Sequence, residues 1–410
     1  MEKSALGKNM HLLMKPVGLD AFLAPLSGNP KGLEDCYIEI EKGNACFRTG
    51  QTIKGTLGLV LKDTLKVKSV TISLQGKARC EWHVWETRTT RQYHQRSNQP
   101  RREPNPFSSE ESYIDEEIQL CTETSLNSGT HKYCFEFKIP DKIPPTFEGV
   151  VGHIRYYLKA RITRSWKLDH IVKTYLSVIP FMDLTSSEKA QKNIVKEVTR
   201  ELGFICFKYG MIKVTTNLRK AGYVAGEIIP IQIKIQNNTS KTIQKIDVKL
   251  IENVLFIAER ASQFKNNRSK KETDKKTESR TIVSLSESVD IACNSDLEKN
   301  ISISVPSIAP SFMSTYIKVN FYIKIRLSSS NRFFSSINAD IPILIGTEPI
   351  LDGQEQFSQC KKSSASKSKA EPEQQTNQFK CTFKDSFFGK ARFDEMDAKE
   401  FTPKYLFYEK

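Results

Sequence analysis

Ile317-Lys-Val-Asn-Phe-Tyr-Ile-Lys-Ile-Arg-Leu327 alternates without a break. Its odd-numbered residues are all apolar, and its even-numbered ones are Lys, Asn, Tyr, Lys and Arg. A period of two sends neighbouring side chains to opposite faces of a strand, one toward a core and the other toward water. Ile154, Tyr156, Leu158, Ala160 and Ile162 alternate in the same way with Arg155, Tyr157, Lys159 and Arg161.

These two strands belong to a longer duplication. With an offset of 176 and no gap, the stretch from Phe47 to Leu74 lies over Tyr223 to Leu250. Gly50 meets Gly226, Leu57 and Leu59 meet Ile233 and Ile235, and Val67, Val70, Ile72 and Leu74 meet Ile243, Ile246, Val248 and Leu250. A second block follows in the same order. Ile143-Pro-Pro-Thr-Phe147 matches Ile308-Ala-Pro-Ser-Phe312, Tyr157 to Ile162 matches Tyr322 to Leu327, and Ile179-Pro180 matches Ile341-Pro342. Two ordered blocks repeated in one chain predict two tandem copies of one domain. Short alternating strands broken by turns, as at Gly50, Gly226 and Asn237-Asn238, predict an all-β fold of two antiparallel immunoglobulin-like sandwiches. Their bounds are 34–184 and 204–350.

The remaining segments read differently. Residues 1–33 form a leader without alternation. Arg88 to Ser112 and Lys265 to Arg280 read as long solvated loops. In the linker, 185–203, Thr185-Ser-Ser-Glu188 fits a capping box, and Ala190, Ile194, Val198 and Leu202 follow at spacing four, which predicts a short helix. The tail, 351–410, opens on the low-complexity run from Lys361 to Lys369 and is expected to be mostly disordered.

Composition narrows the function. Of the 410 residues, 38% are hydrophobic and 27% charged, a globular balance. No apolar run approaches the roughly 20 residues of a membrane-spanning helix, and the short run His11 to Met14 is not a secretion signal. Nine cysteines occur singly, without a Cys-x-x-Cys pair, a pattern that suits a reducing compartment better than a disulfide scaffold. The net charge of +15 lies in residues 1–347, because acidic and basic residues balance from Glu348 to Lys410. A basic body favours anionic partners. The six histidines have no metal-binding spacing, and neither a phosphate loop nor a nucleophile elbow occurs. No enzyme, metal or cofactor is therefore expected.

Cys46-Phe-Arg-Thr-Gly50-Gln-Thr-Ile-Lys-Gly55, Leu74-Gln-Gly76-Lys-Ala-Arg79 and Ile143-Pro-Pro-Thr-Phe147-Glu-Gly149 resemble the first domain of arrestin-domain-containing proteins of the α-arrestin family. Gly203 to Gly210, Lys220-Ala-Gly-Tyr223-Val-Ala-Gly226-Glu227-Ile-Ile-Pro230 and Ile341 to Thr347 resemble the second. The resemblance covers about 36–350. It implies a cytosolic, non-catalytic adaptor at the plasma membrane or endosomes. Such an adaptor binds cytosolic segments of membrane receptors or transporters and links them to endocytosis, or to ubiquitin ligases whose WW domains read Pro-Pro-x-Tyr. That motif is absent here. Its nearest tail counterpart is Phe401-Thr-Pro403-Lys-Tyr405, so Pro403 and Tyr405 are either a degenerate WW-binding pair or part of an aromatic peptide packed on the body. A retromer-type sorting subunit is a near alternative. A tandem immunoglobulin-like adhesion protein is a distant one, disfavoured by the lack of a Cys…Trp…Cys framework.

Candidate contacts follow from the basic strand faces. Arg155, Lys159 and Arg161 share one face, as do Lys324 and Arg326 in the second copy. Side chains two apart lie about 7 Å from one another, close enough to grip one phosphate or acidic loop. The basic loops at 88–102 and 265–280 suit an anionic membrane surface. Nucleic acid is not expected, since Tyr93 is the only aromatic in either loop. Trp82 and Trp85 are candidates for cargo contact or for packing at the end of the sandwich.

Overall fold

The stretch that alternates most strictly in the sequence is a strand, Ile317–Ser328, whose odd-numbered residues are buried through Leu327. In the computed structural model, residues 30–43, 45–88, 101–204, 207–260, 272–329, 336–350, 380–391 and 401–409 are described. The predicted leader before residue 30, the run 361–369 and the basic-loop segments 89–100 and 265–271 lie outside them.

The first sandwich contains β1 (Leu33–Ile40), β2 (Cys46–Arg48), β3 (Thr52–Leu61), β4 (Leu65–Val67), β5 (Ser69–Arg88), β6 (Arg101–Cys121), β7 (Thr124–Leu126), β8 (Gly129–Lys138), β9 (Phe147–Glu148), β10 (Gly152–Thr163) and β11 (His170–Ile179). One sheet runs β1-β3-β8 and the facing one β2-β11-β10-β5-β6, while β4 pairs with β7. After the linker come β12 (Ile194–Phe204), β13 (Phe207–Leu218), β14 (Gly222–Val224), β15 (Ile228–Thr239), β16 (Ile243–Glu259), β17 (Thr273–Ile291), β18 (Ser295–Ser304), β19 (Phe312–Met313), β20 (Ile317–Ser328) and β21 (Ile337–Gly346). Their sheets run β12-β13-β15-β18 and β14-β21-β20-β16-β17.

The duplication read from the sequence is a duplication of topology. β14, β21, β20, β16 and β17 repeat β2, β11, β10, β5 and β6 place for place, and the long hairpins β5–β6 and β16–β17 correspond. In both copies the short edge strand of this sheet, β2 or β14, runs parallel to the copy's last strand, Ser177 opposite Cys46 and Leu344 opposite Gly222. The other pairings are antiparallel. Two sheets with alternating inward residues bury Ile53, Leu57, Ile72, Leu74, Ile154 and Leu158 in one copy, and Ile233, Ile235, Val248, Leu250, Ile323 and Ile325 in the other.

Four expectations are corrected. Arg101–Ser112 is not loop but part of β6, paired with β5 as far as Arg88 opposite Arg101. Thr273–Arg280 likewise belongs to β17. Asn237-Asn238 lies within β15; the fully buried Asn237 amide donates to the Lys241 and Ala292 carbonyls and ties down the turn that follows. The linker helix is a single turn, α1 (Glu188–Gln191), capped by Ser187, after which the chain continues as β12. Spacing four is one helical turn and also two strand periods. Ile194 and Val198 therefore face the core equally well from a strand.

Part of the 351–410 stretch is also ordered. β22 (Lys380–Asp385) and β23 (Lys404–Glu409) form an antiparallel ribbon with Cys381 opposite Tyr408 and Phe383 opposite Leu406. The seven described cysteines are free thiols.

Candidate functional site

The feature that joins both sandwiches and the terminal ribbon is the seam between the sandwiches, over which the ribbon lies. Its apolar floor is built by both copies. The Phe147 and Phe312 rings meet edge to face at 5.5 Å, and Gly149 and Gly152 leave room for the Phe256 ring. The Trp82 indole donates to Asp274 at 2.8 Å. Arg260 pairs with Glu86 at 2.5 Å and with Glu272 at 2.7 Å.

Beneath the ribbon, β16 places a carboxylate where its pattern calls for an apolar residue. Ile246, Val248, Leu250, Val254, Phe256 and Ala258 all face inward, and so does Glu252, with no solvent exposure. Directly across the ladder stands Arg280 of β17, whose Nε donates to Glu252 Oε2 at 2.6 Å. Burial pushes the Glu252 carboxyl up to about 7, against the lowering pull of Arg280. The same guanidinium reaches the Glu148 carbonyl at 3.5 Å and lies 3.7 Å from the centre of the Phe388 ring and 5.7 Å from that of Phe147. Arg280 thus touches the second sandwich, the first sandwich and the tail at once. Next to it, Arg155 grips Glu148 with both Nε and Nη2, at 2.6 and 2.9 Å. Burial raises the Glu148 carboxyl, while Arg155 holds it down. A cavity of 190 Å³ remains, lined by Glu148, Glu252, Arg280, Phe388 and Tyr405 among others.

The ribbon is held from both sides. Toward the first sandwich, the buried Tyr405 donates its hydroxyl to the Thr146 carbonyl at 3.1 Å, and Lys404 N–H donates to Ser177 Oγ at 2.9 Å. Burial raises the Tyr405 phenol far above its ordinary range. Toward the second, Tyr408 N–H donates to the Ala225 carbonyl at 3.0 Å, and its hydroxyl donates to the Thr347 carbonyl at 2.7 Å. Phe387 N–H donates to the Ser307 carbonyl and Ser307 Oγ to that of Lys384. Gly226, at φ +93°, sits so close to Tyr408 that a Cβ there would strike its carbonyl oxygen.

The sequence-predicted residues are distributed as follows. Lys159 and Arg161 share the outer face of β10 with Lys173 opposite on β11. Desolvation first, then Arg161 and Lys173, lowers the Lys159 ammonium. Arg155 departs from the expectation, because its guanidinium is occupied by Glu148 instead of facing a partner. Lys324 and Arg326 lie on the other sandwich, Lys324 at 3.9 Å from Asp340 and Arg326 exposed. Trp82 is buried in the seam, whereas Trp85 is 65% exposed. Pro403 and Tyr405 are both buried, so the aromatic end of the chain packs on the body. The sequence reading missed Glu252, Arg280 and Glu148. The available signal was a carboxylate on the core-facing phase of a strand.

Comparison with known proteins agrees with this architecture. The family model "Arrestin (or S-antigen), N-terminal domain" matches residues 36–185, and that of the C-terminal domain matches 208–350. The chain is similar to arrestin domain-containing protein 17 of Caenorhabditis elegans, 27% identical over 197 residues, 48% of this chain and 46% of the relative. It is 23% identical over 224 residues to arrestin domain-containing protein 1 of Mus musculus, covering 54% of this chain and 48% of that one. With arrestin domain-containing protein 5 of Bos taurus it shares 26% over 218 residues, 52% and 62% of the two chains. The matched region spans about half the length of the first two relatives.

Proposed function

The chain belongs to the arrestin family, and from that premise we propose that it is a non-catalytic cytosolic adaptor. It captures cytosolic segments of membrane receptors or transporters and links them to endocytic or ubiquitin-ligase machinery, working peripherally at the plasma membrane or endosomes. The observation that carries this reading is the seam, where Arg280 touches both arrestin domains and, through Phe388, the tail segment that follows β22. A body of that kind presents two broad sheet faces in fixed relation, suited to reading the shape and charge of a partner. The excess of +15 favours acidic or phosphorylated segments and anionic headgroups. On this reading Lys159 and Arg161, with Lys173 beside them, are the contacts of the first sandwich, and Lys324 and Arg326 those of the second. No described helix is long and apolar enough to cross a membrane.

A WW-domain ligase would use Pro403 and Tyr405 only after the ribbon detaches, because both are buried while it is docked. The test is proximity labelling of the full chain in its own cells, beside Lys159→Glu/Arg161→Glu and Pro403→Ala/Tyr405→Ala variants. Receptors or transporters should be recovered, fewer by the charge-reversed protein, and a WW-domain ligase should be lost with the tail substitutions. Recovery of no membrane protein at all would overturn the adaptor reading. Sorting-coat subunits without a ligase, unchanged by the tail variant, would place the chain with endosomal scaffolds.

A further inference from the structure

We infer that the tip of the hairpin joining β10 to β11, residues 164–168, is an anchor that enters the interface of an anionic lipid bilayer. The inference refines the membrane-side placement proposed above and is tested without cargo. Trp166 is fully exposed, at 103% of its reference area, and Leu168 on the same turn is 62% exposed. Ile171, at the start of β11, adds 38%. Large apolar side chains grouped on one protruding turn mark an interaction site.

The turn is built to hold them out. Trp166 has φ +59°, the left-handed region that bulky side chains seldom occupy and that persists where surrounding structure enforces it. The Arg164 guanidinium donates to the Leu168 carbonyl at 2.6 Å and braces the loop from within. Below the tip, β10 and β11 pair from Tyr156–Leu176 up to Ile162–His170, so the turn stands on a rigid stem.

Charge identifies the occupant. Arg164 and Lys167 flank Trp166 in the turn and Arg161 lies below it at the end of β10, while Asp169, 3.9 Å from Arg161, is the only acid between Thr163 and His170. The exposed Lys68 is added at the base, where its backbone N–H donates to the Thr163 carbonyl at 2.7 Å. An indole seeks the boundary between headgroups and acyl chains, and cations beside it meet lipid phosphates. A second copy docking through the same tip would bring like charges together.

The test is flotation of the purified full chain with phosphatidylcholine vesicles, with and without phosphatidylserine. Binding should depend on phosphatidylserine. Trp166→Ser/Leu168→Ser should weaken it at least about tenfold, with the melting temperature unchanged because both side chains are exposed. Arg161→Gln/Lys167→Gln should weaken it about 25-fold at low salt, since one basic residue near an anionic surface is worth roughly a factor of five. The emission of wild-type protein should shift to the blue on such vesicles, and Trp166→Phe, which keeps Trp82 and Trp85, should abolish the shift. Flotation of the Ser variant equal to wild type would overturn the anchor, as would binding indifferent to phosphatidylserine. A dimer that dissociates on Trp166→Ser while flotation is unchanged would also overturn it, and would assign the tip to a second copy. Intact vesicle binding by a chain that captures no receptor or transporter would support the anchor while removing the adaptor reading.

Discussion

Tyr405 should set how firmly the terminal ribbon is held, and two substitutions separate its contributions. The side chain is only 3% exposed, and its hydroxyl is bound to the Thr146 carbonyl. Thr146 is itself fully buried, its hydroxyl already tied to Leu176 O and Val178 N. Tyr405→Phe keeps the ring and removes one hydrogen bond from a buried site, a loss of about 1.5 kcal/mol. The detachment equilibrium should rise about tenfold. Tyr405→Ala also removes the buried ring and leaves a cavity, a combined loss of about 4 kcal/mol, or roughly a thousandfold. Amide hydrogen exchange reads the outcome directly. Residues 380–385 and 404–409 should exchange faster in that graded order, while β20 keeps its wild-type protection. Unchanged protection in Tyr405→Ala would refute the reasoning. Equal acceleration in β20 would refute it too, because the ribbon would then open only when the whole chain does.

Three further outcomes follow from the seam and the core. Burial lifts Glu252 from the ordinary value of 4.5 to about 7, so between those values the folded chain keeps a proton that the unfolded chain has released. The stability this group contributes is complete below pH 4.5 and declines as pH rises through 7, by about 3 kcal/mol; denaturant titrations at pH 5 and pH 8 should show that loss, and Glu252→Gln should flatten it. Gly226→Ala, at φ +93° against the Tyr408 carbonyl, should cost more than about 1 kcal/mol and speed exchange of residues 404–409. Burial pushes the Cys80 thiol up to about 12, whereas Cys134 and Cys293 are exposed; mass spectrometry after alkylation at pH 8 should find the last two labelled in the native chain and Cys80 only after unfolding.

The sandwiches were legible because their signal is periodic and occurs twice. Alternation at 154–162 and 317–327 assigned the strands, and the matching order of blocks assigned the tandem copies. Polar strands were hidden wherever alternation lacked an apolar partner. β6 from Arg101 to Ser112 and β17 from Thr273 to Arg280 read as loops because many of their residues are charged or polar on both faces, and their ladders with β5 and β16 are long-range facts. The ribbon was illegible for a similar reason. Lys404-Tyr-Leu-Phe-Tyr-Glu409 has no strict period of two, since Tyr405 and Leu406 are both buried, one element contacting two sandwiches. The basic faces were partly legible: spacing placed Lys159 and Arg161 together, but nothing in the local sequence pairs Arg155 with Glu148, which β9 brings alongside β10.

The two copies differ most tellingly where the offset of 176 sets Gly76 over Glu252. In the first sandwich the missing side chain admits the Tyr156 ring, which a Cβ at Gly76 would strike, and the Tyr156 hydroxyl donates to the Pro144 carbonyl at 2.7 Å. In the second the same inward position carries a carboxylate, with Phe321 and Arg280 as its neighbours across the ladder. A buried ion pair is a poor device for stability, since well-packed apolar residues of similar volume often serve as well or better. Its effect here is geometric. Glu252 fixes Arg280 so that one guanidinium meets the Glu148 carbonyl, the Phe147 ring and the Phe388 ring together. Removing the carboxylate would leave Arg280 buried beside two aromatic rings with its strongest acceptor gone. The first copy is therefore a sandwich closed by packing, and the second a sandwich whose charged core residue reaches outward to orient its neighbour and its tail.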